Sequence, residues 1–213
     1  LQFCLHGISP EQFDIIEKLY PGKFQAEYNR DHADYVYERE KMINLSGKKY
    51  HGKKNHINKF KRLYPDWTYE TIDPERAEEC FQMALRWRNL NECDLDEEKN
   101  AEMCVTMNAL RLCTELGLRG GLIRAGREVV AFSLGEPVNS DTFVVHIEKA
   151  FPDIEGAYPM INQQFILHET EGFCYINREE DTGDEGLRRA KLSYHPAFLV
   201  EKGTVTQKKE GRL

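Results

Sequence analysis

The hydrophobic pattern changes period near Leu118, and that change limits the fold more than any other feature of the chain. Upstream, from Asp73 to Gly117, apolar residues recur at helical spacing; downstream, from Gly120 to Lys149, they alternate. Asp73-Pro74-Glu75 opens a helix in the capped, acidic-first-turn manner, and the pattern carries it to Asn89. A second helix is expected over Glu97 to Leu116, with Met103, Met107, Leu110, Leu112 and Cys113 inward and Gly117 as its stop. Gly120–Arg124 and Val129–Gly135 then read as a hairpin about Ala125-Gly126-Arg127, with Thr142–Lys149 as a third strand. Helices over Ala157–His168 and Glu185–Ser193 alternate with strands over Phe173–Asn177 and Ala197–Glu201. The chain is therefore expected to be α/β (α+β), an antiparallel front followed by a strand-helix-strand crossover.

Residues 1–41 read as the end of something. Ser9 caps a short helix with Pro10 in its first turn, Pro21-Gly22 ends it, and Phe24–Tyr28 and Tyr35–Tyr37 follow as strands. The chain opens on a strand-like stretch without an initiator Met, so it is expected to be part of a longer protein. The division expected is 1–41 as a remnant, 42–203 as the principal domain and 204–213 as a flexible tail.

Charge is segregated. The 213 residues hold 29 basic and 36 acidic side chains, a net charge of −7. Between Asn44 and Tyr64 there are seven basic residues (Lys48, Lys49, Lys53, Lys54, Lys59, Lys61, Arg62) and no acidic one, which leaves 22 basic against 36 acidic elsewhere. An acidic chain does not coat nucleic acid over its whole surface, but a single-sign segment makes a local anion site. Tyr50, Ile57, Phe60, Leu63 and Tyr64 share a helical face there, while Lys49, Lys53, Lys54, Asn55, His56 and Lys59 are set for phosphate. Against this stands the ordinary solvated charged face.

No apolar run approaches the about 18 residues of a membrane-spanning helix. The six cysteines form no CxxC pair and no histidine cluster accompanies them, so no metal site is expected; they read as reduced, core-filling thiols of a cytoplasmic protein.

Strict alternation in Thr142–Lys149 puts Thr142, Val144, His146 and Glu148 on one face. A His and a Glu two apart on a central strand are either a hydrogen-bonded pair at its exposed end or a proton-handling pair, with Glu148 as general base. The loop through Gly156 and Ala157 feeds a helix N-terminus, whose amides suit phosphate or an oxyanion. Asn177 and Arg178 end a strand where α/β sheets place ligands, and Arg178 is suited to clamp an anion. Lys191 and Tyr194 lie on or just after the following helix, placed to reach back to the same cleft.

Three stretches carry a resemblance: Asn44 to Phe60, Tyr175-Ile-Asn-Arg-Glu-Glu-Asp181, and Leu187-Arg-Arg-Ala-Lys-Leu-Ser-Tyr-His-Pro196. Together they resemble uncharacterised bacterial proteins related to the C-terminal domain of phosphatidylglycerol lysyltransferase. The resemblance implies a tandem GNAT-like fold, with the first domain largely missing here. It implies transfer of an aminoacyl group from an aminoacyl-tRNA to an amine or hydroxyl acceptor, a small molecule or a lipid. GNAT acetyltransferases hold coenzyme A pyrophosphate with Arg/Gln-x-x-Gly-x-Gly/Ala; here Asp153 replaces the first residue and Tyr158 the last small one. A carboxylate facing pyrophosphate is unfavourable, so coenzyme A does not suit this loop. The rival readings are an acyl-CoA-dependent N-acyltransferase that uses the other domain, and a non-catalytic module of the same fold that binds RNA or a nucleotide.

Overall fold

The computed structural model describes residues 3–208, which divide into two compact units: 3–37 with 177–208, and Glu38–Ile176. The boundary thus differs from the one expected at 41/42, and residues 177–203 group with the first segment of the chain rather than with the basic segment.

In the first unit, β1 (Cys4–Ile8), α1 (Pro10–Leu19), β2 (Phe24–Tyr28) and β3 (Asp34–Glu38) are followed, after the second unit, by α7 (Glu185–Leu192), β9 (Phe198–Val200) and β10 (Gly203–Gln207). Ser9 forms a full capping box with Gln12, each side chain accepting from the other's backbone N–H at 3.3 and 2.9 Å. The segment 204–207, expected to be flexible, is instead the middle strand of a three-stranded sheet, antiparallel to β1 on one side and β2 on the other. Val205, fully buried, anchors it. The rest of that expected tail, 209–213, lies outside the described residues.

The second unit carries α2 (Arg39–Asn44), α3 (His51–Leu63), β4 (Thr68–Thr71), α4 (Pro74–Leu90), α5 (Glu97–Arg111), β5 (Arg119–Ala125), β6 (Glu128–Pro137), β7 (Thr142–Ala150), α6 (Ala157–Glu169) and β8 (Tyr175–Asn177). Strands β4, β5, β6 and β7 pair antiparallel in that order. Helix α6 packs on β5–β7, and its Phe165 ring meets Phe143 at 5.9 Å, edge-on. Buried Met160, Ile161, Phe165 and Ile166 supply its core side, each such side chain contributing about 1.5–3 kcal/mol. Helix α4 packs on β6 and on α5, around buried Cys80, Met83, Met103 and Leu110. Leu112 is exposed, because α5 has already ended at Arg111.

Candidate functional site

The basic segment is not one helix. Leu45, buried and left-handed at φ 44°, ends α2; Gly47 at φ 94° turns the chain; Lys48–Tyr50 is a single 3-10 turn; and α3 begins only at His51. Tyr50, Ile57 and Phe60 are buried as expected, whereas Leu63 is exposed. Lys49 lies 5.1 Å over the Tyr50 ring, and Lys54, Asn55 and His56 face solvent. Lys59 pairs with Glu155, and His56 Nδ1 stands 3.8 Å from the same carboxylate.

Those contacts dock α3 on the loop that opens α6. Gly156 sits at φ 85°, and a Cβ there would come within 2.4 Å of the His56 carbonyl oxygen and 3.0 Å of Phe60. The glycine is explained by this close approach, and Ala157 behind it is fully buried, its N–H bonded to the Ile154 carbonyl. Gly156 and Ala157 therefore do not form the open anion cradle expected of them; a carbonyl oxygen, itself a hydrogen-bond acceptor, covers the glycine.

Strand β7 departs from strict alternation at one point. Leu134 pairs with Ile147 but Gly135 pairs with Val145, so His146 is the extra residue of a β-bulge. Gly135 is obligatory opposite it, since a Cβ there would lie 2.2 Å from the Val144 carbonyl oxygen. The bulge shifts the alternation by one. Phe143, Val145 and Glu148 now share the α6 side, while Val144, Ile147 and Lys149 share the other. Glu148 Oε2 accepts a 2.8 Å hydrogen bond from Nδ2 of Asn162 on α6. His146 Nε2 instead meets Glu136 Oε1 at 3.1 Å, and Glu136 pairs with Val144. The expectation that His146 and Glu148 share a face is thus corrected. Gly135, an isolated glycine in a strand pattern, was the available signal for the bulge; Asn162, in the polar run Asn162-Gln163-Gln164 of α6, gave no distinct signal as Glu148's partner.

The remaining candidates belong to the first unit. Lys191 is buried and its ammonium donates to three successive carbonyls, of Arg178, Glu179 and Glu180, at 2.5, 3.1 and 2.5 Å. Burial, and then the nearby Arg178 charge, pull its pKa down to about 8. With its donors spent on the backbone, Lys191 is a brace for the loop rather than the anion ligand expected. Asn177 is occupied at both ends: Nδ2 donates to Asp34 at 2.9 Å and Oδ1 accepts from the Glu179 N–H at 2.7 Å. It too shapes the turn. Arg178 lies 6.0 Å from the Tyr37 ring and 5.1 Å from the Tyr194 ring. Tyr194 is buried, edge-on to Tyr37 at 6.5 Å.

Sequence reasoning named the charge run that ends at Asp181 but not its pairing with Arg188. Fully buried Asp181 accepts from Tyr35 at 2.5 Å and from both Nε and Nη2 of Arg188, at 2.8 and 2.7 Å. Those bonds hold its carboxyl well below the usual range. A cavity of about 740 Å³, lined by Tyr28, Arg30, Ala33, Phe198 and Leu199 among others, takes in none of the candidate residues.

Residues 1–203 match the family model described as phosphatidylglycerol lysyltransferase, C-terminal. The chain belongs to this family. A conserved protein of unknown function from Bacteroides thetaiotaomicron is 42% identical, with a TM-score of 0.92 over 97% of this chain and 70% of that one. The C-terminal domain of a putative lysylphosphatidylglycerol synthetase from Agrobacterium fabrum is 12% identical, with a TM-score of 0.71 over 98% of this chain and 69% of that one. For the L-PGS of Bacillus licheniformis the values are 13% and 0.67, over 99% and 69%. These last two share the fold. Within the phosphatidylglycerol lysyltransferase C-terminal family, the chain adopts the mixed α/β fold expected of it. An uncharacterized protein of Mycoplasmoides gallisepticum is 22% identical over 174 residues, and this chain spans about half (54%) of its length. No helix among the described residues is long and apolar enough to cross a membrane.

Proposed function

We propose that this chain is an acyl-transfer domain that takes an aminoacyl group from aminoacyl-tRNA and delivers it to a nucleophilic acceptor at Glu148. One arrangement carries the reading: the single-sign basic helix α3 docks at the first turn of α6, and the same helix, six residues on, holds Glu148 through Asn162. Six residues are about 9 Å of helix axis, so a phosphate backbone on Lys49, Lys53 and Lys54 would lie near the carboxylate. Family membership supports transfer chemistry in general; the donor and the acceptor are our reading.

In this scheme Glu148 takes the proton of the attacking nucleophile, as a half-buried carboxylate hydrogen-bonded to Asn162 is suited to do. The acyl-CoA reading is weaker in this unit, because the His56 carbonyl occupies the side of Gly156 that a pyrophosphate would need. The test is binding of aminoacyl-tRNA, bare tRNA and acetyl-coenzyme A to the protein, with turnover measured for Glu148→Gln. Salt-sensitive tRNA binding that survives Glu148→Gln while turnover is lost supports the proposal. Coenzyme A binding without tRNA affinity overturns it.

A further inference from the structure

We infer that Cys4 is a modification site, a thiol activated by His6 to take up small disulfides as a mixed disulfide. It lies in the first unit, whereas the acyl-transfer reading rests on the second. Of the six cysteines, Cys80, Cys93 and Cys113 fill the core as expected, while Cys4, Cys104 and Cys174 are exposed. Cys4 Sγ is 3.3 Å from Nε2 of His6, and His6 Nδ1 is 3.2 Å from Oγ1 of Thr204. Among the described residues, neither the Cys104 nor the Cys174 sulfur has a hydrogen-bond partner. Residues two apart on a strand share a face, which sets Cys4 and His6 together on β1. Leu5 pairs with buried Val205, and the register then slips: His6 and Gly7 together oppose Thr204 before Ile8 pairs with Gly203. Gly7 takes φ 71°, the left-handed conformation that such a bulge uses, and His6 is thereby aimed between Cys4 and Thr204.

Hydrogen counting fits a proton transfer within this pair. Once Nε2 has taken the Cys4 proton, both ring nitrogens of His6 are donors. Each already faces an acceptor, the sulfur on one side and the Thr204 oxygen on the other. Thr204 is thus a positioning residue, which keeps Nε2 turned to the sulfur. The thiolate is the form of cysteine that attacks a disulfide. Cys4 Sγ attacks one sulfur of the small disulfide, and a new S–S bond forms as the old one breaks. The departing sulfur leaves as a thiolate and takes the proton back from His6. The Cys4 sulfur is oxidised and the departing sulfur reduced, so one thiol is released for the one consumed and no further oxidant is required.

The test treats the full chain with 2-hydroxyethyl disulfide, an uncharged probe, and follows each cysteine separately by peptide mapping with mass spectrometry. Cys4 is expected to form its mixed disulfide roughly tenfold faster than Cys104 or Cys174, the exposed controls in the same molecule. His6→Gln keeps a polar side chain but takes no proton, and should bring Cys4 down to the rate of those controls. Thr204→Val should slow Cys4 severalfold and Thr204→Ser restore it, a rescue that exposure of the thiol alone does not produce. If His6→Gln does not fold, the buried cysteines react as well, and His6→Asn then gives the same comparison. A Cys4 rate no greater than that of Cys104 and Cys174 overturns the inference. So does a faster rate that His6→Gln and His6→Asn leave unchanged, which would make Cys4 merely the most accessible thiol.

Discussion

The Cα of Gly156 is covered by the carbonyl oxygen of His56, which a β-carbon would approach to 2.4 Å. Through this one approach the basic helix α3 seats on the opening turn of α6. Gly156→Ala is expected to cost about 2–4 kcal/mol, because it combines a positive φ with a clash against backbone. Urea unfolding measures the loss. Binding to tRNA should weaken as well, since α3 must lift away.

Removing the charges of Lys53 and Lys54 with alanine should cost less than about 1 kcal/mol, Lys54 being exposed and Lys53 half-buried on α3. The slope of log K against log salt for tRNA should become shallower by about 1.4–1.8, as two phosphate contacts are lost. Filter binding at four salt concentrations reads the slope.

His146 and Glu148 should behave differently. With the bulge turning them to opposite sides of β7, Glu148→Gln is expected to lower turnover by about 10²–10⁴, the usual contribution of a general base. His146→Ala should change it by less than about threefold. Equal, large losses in single-turnover assays of the two variants would contradict the assignment.

Lys191→Met leaves the carbonyls of Arg178, Glu179 and Glu180 without their shared donor, so a loss of about 2–4 kcal/mol is expected. The loop it braces has left-handed residues at Glu179 and Thr182 and should become the first site of limited proteolysis in the variant.

Glu70 provides a pH test. Arg124 and then Arg76 hold its pKa down to about 2. Because the folded pKa lies below the unfolded value of about 4.3, its contribution is complete above about pH 4.3 and is lost as pH falls towards 2. The stability difference between wild type and Glu70→Gln should therefore shrink between pH 5 and pH 2, and stay constant from pH 5 to 7.

What the sequence disclosed was local. Ser9 and Asp73 begin their helices where their side chains accept from backbone N–H groups three residues on, at 3.3 and 2.8 Å. The hairpin of β5 and β6 was legible from Gly126, which takes the positive φ its turn requires. Long-range features were not. Thr204-Val205-Thr206 looked like a polar tail because its partners on β1 and β2 are far away in sequence; His6 and Thr204, which touch at 3.2 Å, are 198 positions apart. For the site, the residue types at Glu148 and Arg178 were visible, but the bulge at His146 was not, and one inserted residue reverses every face downstream of it. Lys191 and Asn177 looked like ligand-binding groups because composition cannot tell a side chain that meets solvent from one already consumed by its own backbone.

The central place of β10 between β1 and β2 has a consequence for how the chain is made. During synthesis β1 and β2 emerge early, but the strand that pairs with both is made only at Gly203–Gln207, so their sheet cannot close before then. Until then β1 and β2 each present an unpaired edge. A stalled or truncated product ending before Gly203 would carry two open strands, the kind of surface that chaperones hold and that aggregation begins from.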